Sequence, residues 1–346
     1  MTDSTLVQPL ISIIVPSYNQ GKYIEATILS VLNQTYSNWE LIIQDSCSND
    51  QTERICVEYS TIDSRIRFYR EKDQGFADGV NKGLVKAKGL IGAIQSSDDY
   101  YASAHVFADV ISYFIQEPEL TLVTSGFRMV DNRYHFIDIE PVKRKPGIVD
   151  SKDLFRLKDH FAQGSTFFKI ARAKEIGGLN PEVDMVADTD FWVRMINLKP
   201  HPAKGALRVD GIWSHLIMHP EQRTADQSKF YMGRCKAYIG YLTNDSMDVP
   251  RELKELSVKG HLADTFQYHL FKQIPTASFE QLYRTSVGTD IPQRWKLKKH
   301  LTRIPIFHSI YFRNYMDNDT GFLLDKNRGD LALWFKIPEV PESRAY

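Results

Sequence analysis

Two adjacent carboxylates, Asp98 and Asp99, follow closely on the apolar run Leu90–Ile94. Paired acids at the end of a buried strand repel each other and lose hydration, so they need water, a cationic partner or a bound ion. A hard divalent cation bridging them to a diphosphate would meet that need; a solvated turn would meet it as well. Asp45 ends a second apolar run, Trp39–Ile43, and is followed by Ser46, Ser48, Asp50 and Thr52. A carboxylate there can accept from the ring N–H of a pyrimidine, while Ser48 or Asp50 can cap the next helix. The stretch 71–83, EKDQGFADGVNKG, sets Lys82 on the first turns of a helix. A lysine or a helix N-terminus in that place can meet phosphate, although an ordinary exposed loop ahead of a helix fits the same residues. Asp188 and Asp190 open another helical segment, where acids suit a helix N-terminus whether or not they do chemistry.

Positioning these groups requires a regular scaffold, and the first hundred residues supply one. Leu10–Val15 is a short β-branched run of the kind buried on both faces of a sheet, and Pro16 is expected to end it. Tyr23–Asn33 places Ile24, Ile28, Val31 and Leu32 on one helical stripe. Further strands are predicted at 39–43, 65–69 and 90–94, and further helices at 50–59, 76–87 and 104–116. That alternation implies βαβ units and a mostly parallel sheet with helices on both faces. Ligands bind such sheets at the carboxyl ends of the strands, and 16–20, 45–50 and 97–99 all fall there. Strands at 120–127 and 165–168 and a helix at 189–198 follow. Past Asp226 the pattern turns helical, which divides the chain into 1–226 and a helical extension, 227–346.

The 346 residues are 42% hydrophobic and 25% charged, with no formal net charge. No overall field points to nucleic acid, so an anionic ligand must be held by local chemistry. Three cysteines (Cys47, Cys56, Cys235) form no C-x-x-C pair, which fits a reducing compartment and argues against a disulfide framework. The N-terminus carries no charged and apolar leader pattern, and no apolar run nears the roughly 18 residues of a spanning helix. A cytoplasmic protein is expected, with peripheral contact at the inner membrane face as a further option.

Four segments in order, VPSYNQ (15–20), IIQDSCSNDQT (42–52), EKDQG…NKG (71–83) and SSDDYY (96–101), together resemble the family-two glycosyltransferases of the GT-A fold. The likeness runs from about Ile11 to Thr224. It implies a GT-A-type, Rossmann-like, mostly parallel α/β sheet flanked by helices, and inverting transfer of a sugar from a UDP- or dTDP-sugar to an acceptor hydroxyl with Mn²⁺ or Mg²⁺. By that resemblance Pro16, Tyr18 and Asn19 lie against the base and Asp45 reads its edge. Asp73 and Lys82 belong to the donor side, Asp98 lies near the ribose, and Asp99 contacts the metal. Gln163, in FAQGSTFF (161–168), and Trp192 face the acceptor. Asp188, in ADTDFW (187–192), is the catalytic base, with Asp190 next in line. His219, in HPEQRT (219–224), reaches the metal or the diphosphate. A carboxylate base suits the chemistry, because a sugar hydroxyl is a poor nucleophile at neutral pH.

Three positions depart from the family's pattern. Ser46-Cys47 replaces a usual Gly-Gly, so any left-handed position there is strained. Ser96 stands where Asn or Asp is common, and Ala187 where a Glu precedes the base. These leave room for a catalytically inactive glycan-binding scaffold on the same fold. A nucleotidyltransferase is the other alternative, although the Gly-rich, basic triphosphate loop it would need is missing from 17–22. The family mostly builds surface polysaccharides and lipid-linked glycans, so a glycan or lipid-linked acceptor is implied. Residues 293–315 mix basic and aromatic side chains, a pattern that suits either an anionic membrane or a helical appendage packed on the core. Sugar, linkage and oligomeric state are not written in these motifs.

Overall fold

In the computed structural model, which describes residues 8–137, 144–156, 161–202, 204–223, 227–288 and 290–305, the first apolar run forms β1 (Ile11–Ser17). β1 lies between β2 (Trp39–Asp45) and β4 (Ile91–Ile94), and β2 carries β3 (Ile66–Arg70) on its far side, all parallel. The crossovers are α1 (Ile24–Leu32), α2 (Thr52–Ile62) and α3 (Phe76–Lys86). Ile11, Ile13, Ile14 and Val15 are all buried, as a strand covered on both faces requires. Pro16 does not end the strand: it pairs with Gln44 and the ladder runs on to Ser17 and Asp45. The partnership with β4 stops opposite Ile14, so on that side the missing proline N–H breaks no ladder bond.

After β4 the direction of the sheet changes. β5 (Asp99–Tyr101) leads to α4 (Val106–Gln116) and β6 (Leu120–Asp131), then β7 (Gly147–Ile148), α5 (Ser151–Phe155), β8 (Thr166–Lys169), α6 (Ile170–Glu175), α7 (Ala187–Asn197) and β9 (Lys204–Met218). The sheet order is β3-β2-β1-β4-β8-β6-β9-β5, with β7 on β9. β8 runs antiparallel to β4 and β6, and β5 antiparallel to β9. Tyr101, Phe107, Phe167 and Trp213 pack edge-to-face or stacked beneath this half of the sheet.

Two compact units divide the described residues. The first ends at Gln222 but takes back Ser246–Asp248, through a bridge between Leu198 and Met247. The second contains α8 (Gln227–Thr243), α9 (Arg251–Phe271), α10 (Ala277–Val287) and α11 (Gln293–Leu301). No described helix is long and apolar enough to cross a membrane.

Candidate active site

The four parallel strands end on one edge, and the loops that leave them build the site. Asp45 closes β2 but does not face the edge. It is fully buried; its Oδ2 accepts the Ser48 N–H at 2.8 Å and its Oδ1 accepts the Ser48 hydroxyl. The Ser48 hydroxyl oxygen in turn accepts the Asn19 N–H at 2.8 Å. Asp45, expected at the base edge, here closes the turn with both carboxylate oxygens bonded to Ser48. The strain foreseen at Ser46-Cys47 falls on Cys47, whose φ is +60°. A non-glycine residue there costs roughly 1–2 kcal/mol.

Asp73 is better placed for recognition. Its Oδ1 accepts the Gly75 N–H at 3.0 Å, and its own N–H reaches the Ser46 hydroxyl at 3.1 Å. Oδ2 has no hydrogen bond among the described residues and points at Gly79, where a Cβ would lie 2.9 Å from it and 3.4 Å from Pro16 Cβ. Glycine at 79 thus lets α3 bring Pro16 and Asp73 together. Tyr18 stands beyond them with 57% of its surface exposed, open to stack on a base. Asn19 holds the turn at φ +54° and accepts the Asn49 N–H. Lys82 is not an open cation: it bonds the Lys72 carbonyl at 2.6 Å and pairs with Asp78 at 3.1 Å, closing the loop before α3.

At the acidic pair the roles also shift by one residue. Asp99 begins β5, and neighbouring residues of a strand point to opposite faces. Its carboxyl turns inward and accepts the Ile217 N–H at 3.0 Å. Burial, and then the charge of Asp98, push it well above the ordinary carboxylate range. Asp98 turns outward instead and meets His219 Nε2 at 3.0 Å. The antiparallel β5–β9 pair sets that meeting, since Asp99 lies opposite Leu216 and His219 follows the end of β9. Tyr23 stacks on His219, centroids 4.5 Å apart, and His219 Nδ1 is buried with no hydrogen-bond partner among the described residues. Of the acidic pair it is thus Asp98, and not Asp99, that stands beside His219.

Asp98 and His219 suit a divalent ion. Two cis ligands of an octahedral ion at about 2.1 Å lie about 3.0 Å apart, which matches their spacing. Among the described residues no group of three or more acidic, histidine or cysteine side chains is gathered for a metal. A bound ion would therefore take its remaining ligands from diphosphate oxygens and water, as Mg²⁺ commonly does.

On the other flank, Gln163 Nε2 bonds the Ser96 hydroxyl at 3.1 Å, which also supports Asp99. The turn carrying Gln163 is thus tied to the acidic pair. Asp188 lies in the first turn of α7, half-buried, with Oδ1 on the Thr189 N–H at 2.7 Å. The helix N-terminus favours its charged form. Asp190 is taken out of contention: it is buried and paired with Arg194 at 2.7 Å, and Arg194 also holds the Ile176 and Gly178 carbonyls. Sequence reasoning missed Asn81, which grips Leu179 through both its backbone groups at 2.8 Å. Gly178 makes room for that grip; at φ +70° a Cβ would lie 2.3 Å from Asn81 Oδ1. The NKG run was the available signal, read for its lysine.

Trp192, expected beside the acceptor, lies in the core of this structure. It is 1% exposed and packs against Phe161, Phe168 and Phe191. That cluster fastens α7 to the segment bearing Gln163. Trp192→Ala is expected to cost about 3–5 kcal/mol of stability, read from urea unfolding. Trp192→Phe should leave the acceptor KM within a few-fold; a large KM rise with unchanged stability would restore the acceptor role.

Residues 12–173 match the family model "Glycosyl transferase family 2". This part of the chain is a family 2 glycosyltransferase domain. The family 2 domain is 47% identical over 93 residues to a putative teichuronic acid biosynthesis glycosyltransferase, TuaG, of Bacillus subtilis, covering 27% of this chain and 37% of that protein. Identity is 45% over 93 residues to WfgD of Escherichia coli, named as a UDP-Glc:alpha-D-GlcNAc-diphosphoundecaprenol beta-1,3-glucosyltransferase, covering 27% and 36%. In both cases the matched stretch spans little more than a third of the relative. The fold matches S. aureus TarS 1-349, solved in complex with UDP-GlcNAc, with TM-score 0.58 and 16% identity over 86% of this chain and 88% of that one. The expected GT-A-type α/β sheet with C-terminal helices is therefore the fold of this protein.

Proposed function

We propose that this protein transfers one sugar, with inversion, from a nucleoside-diphosphate sugar to a hydroxyl of a surface glycan or its lipid-linked precursor. The observation that carries the reading is the Asp98–His219 pair at the carboxyl edge of the sheet, with Asp98 inside the stretch, 12–173, that matches family 2 glycosyltransferases. The names of the B. subtilis and E. coli relatives support a surface-glycan acceptor.

Asp98 and His219 would hold a divalent cation, which would supply positive charge opposite the leaving diphosphate. Tyr18, Pro16 and Asp73 receive the nucleobase. Asp188 takes the proton of the acceptor hydroxyl as that oxygen bonds the anomeric carbon and the bond from that carbon to the diphosphate oxygen breaks. A single displacement from the opposite face inverts the anomeric centre and needs no enzyme nucleophile. Gln163 orients the acceptor from its turn beside the acidic pair. Incubation with UDP-, dTDP- and GDP-sugars, Mn²⁺ and a diphospholipid-linked sugar acceptor tests the reading, with product configuration read by NMR. Neither transfer nor donor hydrolysis with any donor would leave a binding scaffold in its place, and release of pyrophosphate from a nucleoside triphosphate would point to a nucleotidyltransferase.

Base selection passes to Asp73, whose Oδ2 can accept the N3–H of uracil or thymine while cytosine presents no such donor. Asp73→Asn keeps the bond to Gly75 and can turn its amide toward an acceptor. UDP affinity is expected to fall roughly tenfold or more, the worth of a bond to a charged group, while CDP gains relative to UDP. Titration calorimetry that finds both nucleotides unchanged would remove Asp73 from the base site, and tighter binding of GDP than of UDP to the wild-type protein would remove pyrimidine selection altogether.

A further inference from the structure

The last described helix, α11, presents a surface that the proposed transfer reaction does not use. From Gln293 to Pro305 the chain carries five lysines or arginines and no acid. Its one tryptophan faces inward: Trp295 stacks on Phe266 with centroids 4.8 Å apart and planes within 12°, and meets Tyr283 edge-on. Anchoring by Trp295 turns the opposite side of α11 outward. Leu297 and Leu301, one helical turn apart, are 60% and 38% exposed, and Ile304 in the turn that follows is 47% exposed. Arg294, His300 and Arg303 are exposed around them.

The cations divide into two sets. Lys296 pairs with Asp290 at 3.2 Å and Lys299 with Glu280 at 2.5 Å, so these two serve the fold. Arg294 and Arg303 have no ion pair among the described residues. Crowding is felt within the helix, where burial and then the Arg294 charge lower the Lys298 pKa. Three large aliphatic side chains set among unneutralised cations make an unstable surface in water: the apolar atoms gain by leaving it, the charges by meeting anions. A soluble polyanion satisfies only the charges, and an apolar protein groove only the side chains. The headgroup–acyl boundary of an anionic bilayer satisfies both.

We propose that the outer side of α11 and the turn that follows it, with Arg294, Leu297 and Leu301 on the helix and Arg303 and Ile304 on the turn, docks this protein on an anionic lipid surface. The helix lies in the interface and crosses nothing. None of these residues belongs to the donor or acceptor machinery, so docking and transfer are separable.

The test is sedimentation of the full chain with vesicles of phosphatidylcholine alone or with 30% phosphatidylglycerol added. The protein is expected to bind the anionic vesicles and leave the neutral ones. Leu297→Ser/Leu301→Ser keeps every charge, and its partition coefficient should fall about tenfold. Arg294→Gln/Arg303→Gln should lower it about thirtyfold, near 1 kcal/mol per cation. A dye on Leu297→Cys should shift to the blue on adding anionic vesicles, which reports burial even if the serine variant folds poorly. Equal binding to both vesicle types, or none, overturns the proposal. So does a serine variant that stays folded and binds like the wild type, since charge alone would then suffice. Retention on heparin with no vesicle binding would assign the surface to a soluble polyanion. A dimer that the serine substitutions dissociate, with the dye shift occurring without vesicles, would assign it to a second copy of the chain.

Discussion

Asp98→Asn is expected to lower kcat/KM about 10³-fold and to make nucleotide binding indifferent to Mn²⁺, whereas Asp99→Asn should keep most of both. The two residues adjoin in sequence but face opposite ways. Asp98 shares a 3.0 Å approach with His219; Asp99 is buried against the Ile217 N–H. Replacing Asp98 removes a charged donor facing the leaving group, and losses of 10²–10³ are usual when one such interaction is deleted. Asparagine at 99 can still accept from Ile217, so the bond that fixes this residue inside the protein survives the change. Calorimetry of UDP with Mn²⁺ and with EDTA, beside steady-state rates, reads both variants. Loss at 99 with retention at 98 would return the cation to Asp99.

Asp188→Asn should drop turnover by roughly 10²–10⁴-fold, while the dissociation constant for UDP with Mn²⁺ stays within a few-fold. Asparagine can still accept the Thr189 N–H that Asp188 holds at 2.7 Å, so the helix start survives and only basicity is lost. Asp190→Asn makes the instructive contrast. It breaks a buried pair with Arg194, and Arg194 holds the turn at Gly178; its penalty, about 3–5 kcal/mol, should appear in the unfolding midpoint before it appears in the chemistry. Near-normal turnover in folded Asp188→Asn would exclude it as the base, as would nucleotide binding lost in step with rate.

The strands at the centre of the sheet were legible because each is buried on both faces and so reads as an unbroken apolar run. β9 was not: Lys204, Arg208, Asp210, Ser214 and His215 interrupt it, and it bends through Gly211 at φ +113° where its register with β6 shifts. The return of Ser246–Asp248 to the first unit is three residues long and leaves no compositional trace. Within the site, residue types were readable and directions were not. Asp45 and Asp99 were each assigned a ligand, and each points into the protein while its surroundings turn Asp73 and Asp98 outward. An acid's place in a motif says that a carboxylate is needed there; whether it meets ligand or backbone depends on which face of the chain it occupies. Trp192 shows the same ambiguity, since an aromatic residue one turn beyond the candidate base serves a sugar or a core equally well in sequence.

The grip of Asn81 on both backbone groups of Leu179 has a meaning for how such enzymes diversify. α3 begins beside Asp73, where the nucleobase is proposed to bind, and through Asn81 it also fixes the Gly177–Leu179 turn that leads to Asp188. The parts that would choose the donor and the part that would activate the acceptor are thus bolted to one rod. Exchanging 177–190 with a relative to change the acceptor, while keeping this α3, would import a turn cut for another clamp. The unit of inheritance for a workable swap is the pair: α3 together with the turn that it holds.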